Sequence, residues 1–312
     1  MSTPPNTPPN TPHWAEPALA RVLDRVAVTR TEVGDRFPLY ADQETGLWTT
    51  TRRGSWTGGF WAGLLWLRAR HTGDVRDREA AGATTMRLAD WAGADTATRG
   101  LILWYGTALA DDPGAVALQE RAACACLDAY DHELGLVPWG SAFGGPRRVA
   151  HVDGAPGMVP LLASVNAKAA ESHLRAHLGL GSPGWSRGRA WLLLAVADGL
   201  RCLDVPDLRG AAGELTPSRR VPPATEERPD GPLDTSAAAI TAVALLKLGQ
   251  REPAVAVLEE LVRVHLAANG SLRHGCYDLG SGTATRHELV WGSFFLAFGL
   301  AVLTGLVDAH SA

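Results

Sequence analysis

Trp56-Thr57-Gly58-Gly59-Phe60-Trp61-Ala62-Gly63-Leu64-Leu65-Trp66 reads as a helix that is apolar on almost every face. The same theme returns at Trp185-Ser186-Arg187-Gly188, which opens Arg189-Ala190-Trp191-Leu192-Leu193-Leu194, and more loosely at Trp291-Gly292-Ser293. A helix apolar all round must be buried all round. In each case a Trp and a small residue stand at the expected helix start, and Thr57 and Ser186 read as N-caps. Helix N-termini gathered at one end of a bundle present free N–H groups to an anionic ligand, with a Trp face alongside.

Working outward, helical periodicity predicts helices near 14–29, 55–71, 74–92, 97–110, 114–131, 157–179, 188–204, 233–249, 251–268 and 287–306, with a short one at 207–215. The 157–179 run reads as two helices meeting near Asn166. Strand-like alternation is scarce. The segments 55–71, 188–204, 233–249 and 287–306 are apolar nearly all round, whereas 74–92, 114–131 and 251–268 carry charge on one side. Alternation of the two kinds describes an inner ring of helices wrapped by an outer one, an all-α, single-domain α/α barrel spanning 14–312. Residues 1–13, with TPPN repeated, read as a disordered Pro/Thr/Asn-rich tail. The stretches 35–53, 134–156 and 269–286 read as long functional loops, and 219–232 as a Pro-rich surface connection.

Of 312 residues, 46% are hydrophobic and 20% charged, enough apolar material for a sizeable core. The formal charge of −4 comes without a basic stripe, which argues against nucleic acid, and no run is long enough for a membrane-spanning helix. Four Cys without metal-ligand spacing read as reduced, buried thiols, with Cys124 and Cys126 on different helix faces. No nucleotide-, cofactor- or metal-binding motif is present. With no export signal at the start, the expected compartment is the cytoplasm. Composition leaves the oligomeric state open.

The strings TTTRRGSWTGGFWAGLLWL, HVDGAPGMVPLL, GWSRGRAWLLL, LDTSAAAITAVALL, HGCYDLGSG and ELVWGSFF, in that order, resemble the unsaturated glucuronyl hydrolases, glycoside hydrolase family 88. The resemblance implies a six-hairpin α/α barrel. It also implies a hydrolase acting on an acidic oligosaccharide that ends in a 4,5-unsaturated uronic acid. The vinyl ether would be hydrated, with a proton to C4 and water to C5, and the resulting hemiketal would open and release the remaining sugar. One carboxyl can serve first as acid and then as base, because C4 and C5 are neighbours.

Carried over residue by residue, the resemblance makes Asp153 the acid/base; the plainer alternative is an N-cap for the helix starting near Gly157. Arg187 would pair with the uronate carboxylate and Trp191 would pack on the sugar, the alternative being an Arg that holds a loop and a core Trp. Trp56, Trp104 and Trp185 are candidate pocket walls, and His151 and His173 candidate substrate contacts. Asp234 reads as an N-cap. The chain departs from the family where a His-Asp pair is expected: Ala97 and Thr98 stand there, so that the second catalytic carboxylate would have to come from Asp95. Ser293 replaces the Asp of the family's Trp-Gly-Asp, and the segment between His173 and Gly184 is short. Two other readings stay open. One is acid/base chemistry by Asp153 on another small molecule in specialised metabolism. The other is a catalytically silent carbohydrate-binding protein.

Overall fold

The computed structural model describes residues 11–181 and 184–312. It is mostly helical with one small sheet. In chain order the helices are α1 (Ala15–Val33), α2 (Gly58–Thr72), α3 (Val75–Met86), α4 (Tyr105–Thr107), α5 (Pro113–Asp128), α6 (Met158–Ala163), α7 (Ala167–Leu178), α8 (Ser186–Cys202), α9 (Arg209–Leu215), α10 (Thr235–Lys247), α11 (Arg251–Glu260) and α12 (Val290–Thr304). The strands are β1 (Phe37–Asp42), β2 (Trp48–Thr51) and β3 (His287–Leu289).

The apolar helices are the buried ones, as a stripe-free sequence requires. Every residue of α10 is buried, and α12 is buried throughout except at Val302. These helices pack in a closed circuit: α2 on α12, α12 on α10, α10 on α8, α8 on α6, α6 on the π-helical turn Gly100–Trp104 that leads into α4, and α4 back on α2. The charged-faced helices lie outside it, with α1 on α12 and α2, α3 on α2, α5 on α6, α7 on α6 and α8, α9 on α8, and α11 on α10. Asp74, Asp112, Asn166 and Asp234 cap α3, α5, α7 and α10 by accepting a backbone N–H. Asn166 is where the expected break in 157–179 falls.

Glycine sets how closely the circuit closes. A Cβ on Gly59 would lie 2.3 Å from the carbonyl oxygens of Leu101 and Ile102, so α2 touches the π turn backbone to backbone. Gly100 and Gly157 cross in the same way: a Cβ on Gly100 would lie 2.3 Å from Met158 N, and one on Gly157 2.4 Å from Gly100 O.

Several expectations are corrected. The stretch 35–53, read as loop, folds into β1 and β2, and the start of 287–306, read as helix, is β3; the three pair antiparallel in the order β2-β1-β3. The strands are short, and the register shifts between Pro38 and Tyr40, which hides the period-two pattern. The 97–110 helix is confined to 100–107, because Thr96 and Ala97 pair with the 139–140 segment instead. Thr57 and Ser186 do not cap with their side chains: their hydroxyls donate to Gly54 O and Pro223 O. Of the four free thiols, Cys126 and Cys276 are buried but Cys124 and Cys202 are exposed. The expected tail 1–13 falls mainly on residues 1–10, outside the described residues, and Thr11 donates from its hydroxyl to Leu303 O. Among the described residues no helix is long and apolar enough to cross a membrane.

Buried charge accompanies this core. Glu288 on β3 pairs with Arg25 of α1 at 3.2 Å, both almost without solvent. Burial outweighs the Arg25 charge and pushes the Glu288 carboxyl up from 4.5 to about 7. Lys247 of α10 pairs with Asp198 of α8, equally buried.

Gly59→Ala forces α2 off the π turn, and denaturant unfolding should show a loss of about 1–3 kcal/mol. Glu288 holds its proton to higher pH when folded than when unfolded. Its contribution to stability is therefore full below about 4.5 and lost as pH rises through about 7. Unfolding titrations between pH 4 and 8 should show a decline on the order of 3 kcal/mol in wild type that is absent in Glu288→Gln.

Candidate active site

A cavity of about 660 Å³ opens where the N-terminal ends of α2 and α8 meet the loops 134–156, 219–232 and 269–286. Trp56, just ahead of α2, and Trp185, just ahead of α8, form walls, and Tyr277 stacks beside Trp56 at 6.2 Å. His151, Asp153 and Arg187 also line it, with Glu227, Arg228 and Asp278. Five of the nine residues proposed from sequence are therefore brought together: Trp56, His151, Asp153, Trp185 and Arg187.

Asp153 sits on the short 3₁₀ turn Val152–Gly154 and does not cap α6, whose N-cap position is Gly157. The turn is braced from behind by α7. His173 accepts Val137 N–H at Nδ1 and donates from Nε2 to Gly154 O at 3.0 Å. His177 donates from Nδ1 to His173 O, and its Nε2 lies 3.2 Å from His151 O. Burial lowers the pKa of both rings, which keeps them neutral. Contrary to expectation, His173 touches no ligand space: it is fully buried and acts on the turn. On the cavity side, His151 Nδ1 accepts the Asp153 backbone N–H at 3.3 Å and lies 3.2 Å from Asp153 Oδ2, and the carboxylate raises the His151 pKa against the opposing effect of burial. The His151 ring also packs on Trp139 at 4.3 Å.

Arg187 is buried and largely committed within the protein. Nη1 donates to Asp234 Oδ2 at 2.9 Å and to Cys276 O, and Nη2 donates to Tyr277 O. Its guanidinium lies between Trp185, at 4.5 Å, and Trp291, at 5.3 Å. Nε is a buried donor with no partner among the described residues. Asp234 caps α10 as expected and also accepts from Ser236 Oγ. The pair pins the 276–277 carbonyls and so fixes Tyr277 in the wall.

Four proposed residues lie elsewhere. Trp191 is fully buried, stacked on Phe60 at 6.1 Å, because its place in α8 turns it into the core. Trp104 is half-buried against the core and does not line the cavity. His173 supports the turn. Asp95 is exposed and does not line the cavity; its Oδ2 accepts from Ser141 N and Oγ at 3.0 and 2.7 Å, which fastens the 140–142 loop. No second carboxylate replaces it at 97–98: Ala97 packs against Gly154, and the buried Thr98 hydroxyl bonds Thr96 at 2.9 Å.

Sequence reading missed Tyr277, Asp278, Glu227 and Arg228. The first two fall in a loop already singled out as functional, whereas 219–232, taken for a plain surface connection, carries the other two into the cavity. Asp278 accepts from Gly280 N, Ser281 N and Ser281 Oγ, and these bonds lower its pKa. The Arg228 guanidinium makes no ion pair among the described residues. No group of three or more His, Cys, Asp or Glu stands ready to hold a metal among the described residues.

No protein-family profile matches the chain. A curated relative, the unsaturated glucuronyl hydrolase of Bacillus sp. (strain GL1), is 38% identical over 64 residues, 20% of this chain and 17% of that protein. The match thus spans under a fifth of that relative's length. Among solved structures, the unsaturated glucuronyl hydrolase from Bacillus sp. GL1, described as responsible for the degradation of glycosaminoglycan, superposes with a TM-score of 0.80 at 21% identity over 93% of this chain and 96% of that one. An unsaturated glucuronyl hydrolase specific for heparin superposes at 0.82 and 17% identity, over 95% and 99%. The chain has the fold of the unsaturated glucuronyl hydrolases over nearly its whole length, with a distant likeness to them in sequence.

Proposed function

We propose that this protein is a hydrolase that hydrates the vinyl ether of a 4,5-unsaturated uronic acid at the non-reducing end of an oligosaccharide. The observation that carries the reading is Asp153. Its carboxyl faces an open cavity walled by Trp56, Trp185 and Tyr277, on a turn braced from behind. In this reading Asp153 gives a proton to C4. Water then adds at C5 with Asp153 as base, and the hemiketal opens to expel the remaining sugar. The aromatic walls suit a sugar ring, and the shared fold belongs to enzymes named for this substrate. The closed helix circuit and its outer helices would form a six-hairpin α/α barrel, taken as one catalytic domain over 14–312.

The substrate carboxylate would meet Arg228 and the spare Nε of Arg187, since the other donors of Arg187 are occupied within the protein. Four free thiols suit a reducing compartment, which favours the cytoplasm. The absence of a carboxylate at 97–98 favours the second reading, acid/base chemistry by Asp153 on another small molecule.

Loss of the conjugated C=C absorbance on incubation with unsaturated glucuronyl disaccharides tests the first reading. Wild type should consume the chromophore, and Asp153→Asn should lower kcat by about 10²–10⁴-fold. A folded wild type that consumes none of a disaccharide panel would exclude it. Arg228→Gln should raise KM roughly tenfold with kcat nearly unchanged, and the penalty should vanish on the methyl ester of the same substrate.

A further inference from the structure

No carboxylate stands at 97–98, yet the cavity holds a second titratable group against Asp153. His151 Nδ1 lies 3.2 Å from Asp153 Oδ2, both side chains line the cavity, and the pair stands on one braced turn. We propose that His151 and Asp153 work as a dyad that shares one proton, His151 being the group that keeps Asp153 supplied with it near neutral pH. The catalytic part of this proposal rests on the vinyl-ether reading above.

A lone carboxyl with the ordinary pKa of about 4 is almost wholly ionised near neutrality and makes a poor donor. A hydrogen-bonded imidazole–carboxylate pair instead titrates as a unit, and its last proton leaves only when the imidazolium is lost. The carboxylate raises the His151 pKa and extends that range. In the singly protonated pair the proton passes to C4, the π electrons of C4=C5 forming the new C–H bond. The pair is left as carboxylate and neutral imidazole. Water oxygen then bonds to C5 and its proton returns to the pair, so that the dyad ends as it began, with no oxidant or reductant involved.

The surroundings allow this assignment. Behind His151, the buried His177 of α7 faces its carbonyl and is kept neutral by burial. The Trp139 ring packs against the imidazole. Elsewhere around the cavity stand Arg187, Arg228, Glu227 and Asp278, none of them hydrogen-bonded to His151. Among the described residues the opposite charge in contact with His151 is Asp153, whose backbone N–H also donates to Nδ1 at 3.3 Å, so that the imidazolium form exchanges that bond for one to the carboxylate.

Two measurements test the dyad. The pH profile of kcat/KM on an unsaturated glucuronyl disaccharide should fall on its alkaline side near the His151 titration midpoint in wild type. In His151→Gln, which keeps a hydrogen-bonding side chain but cannot titrate, that fall should move at least one pH unit lower. An unmoved alkaline limb would overturn the proposal. Imidazole NMR of the full chain should show the His151 midpoint dropping by at least half a unit in Asp153→Asn, and an unchanged midpoint would overturn the shared proton whether or not the enzyme turns over. Absence of turnover by wild type sinks the vinyl-ether reading and the catalytic role with it, while the NMR result still decides the pairing.

Discussion

The ion pair between Arg187 and Asp234 is the constraint on which the cavity depends. Both side chains are almost without solvent, and a buried pair is tolerable only when the remaining polar atoms are satisfied as well. Asp234 meets that condition by capping α10, and Arg187 meets it in part by collecting two loop carbonyls, its Nε being left over. One interaction therefore sets the spacing of two neighbouring inner helices and the path of the segment that carries Tyr277 and Asp278. The cation does not stand free as a ligand group. It holds the wall together, and the Trp185 and Trp291 rings on either side shield it further.

The turn that carries Asp153 is built on a different principle. Gly154 packs directly on Ala97, whose small side chain makes room for the turn. The neutral His173–His177 stack then supports it with hydrogen bonds to carbonyls. With these supports neutral, the ion-pair partner of Asp153 among the described residues is His151.

Much of the fold was legible because burial leaves a strong imprint. Helices such as Thr235–Lys247 carry no polar face, and no other environment suits them. The sheet was not legible, because three short strands with an irregular register leave no clean alternation. In the site, Trp56, Asp153, Trp185 and Arg187 could be read because they flank helix starts and because their strings resemble a family. Trp191 and His173 were misplaced for a related reason: a motif fixes a residue's position along a helix and not the face it turns inward. Glu227 and Arg228 left no sequence signal, since the direction in which a Pro-rich connection folds back is decided by its tertiary contacts, such as Thr225 Oγ1 donating to Gly184 O.

The helix circuit closes through α12, which packs on both α1 and α2, and β3 joins the edge of β1. Elements near the two ends of the chain are therefore partners. On the ribosome, the apolar faces of α1 and α2 emerge long before the helix that covers them is made. Contacts of such long sequence separation close slowly and leave sticky surface exposed meanwhile. The same closure that hides nearly every face of α12 thus leaves the apolar faces of α1 and α2 uncovered until α12 has been made.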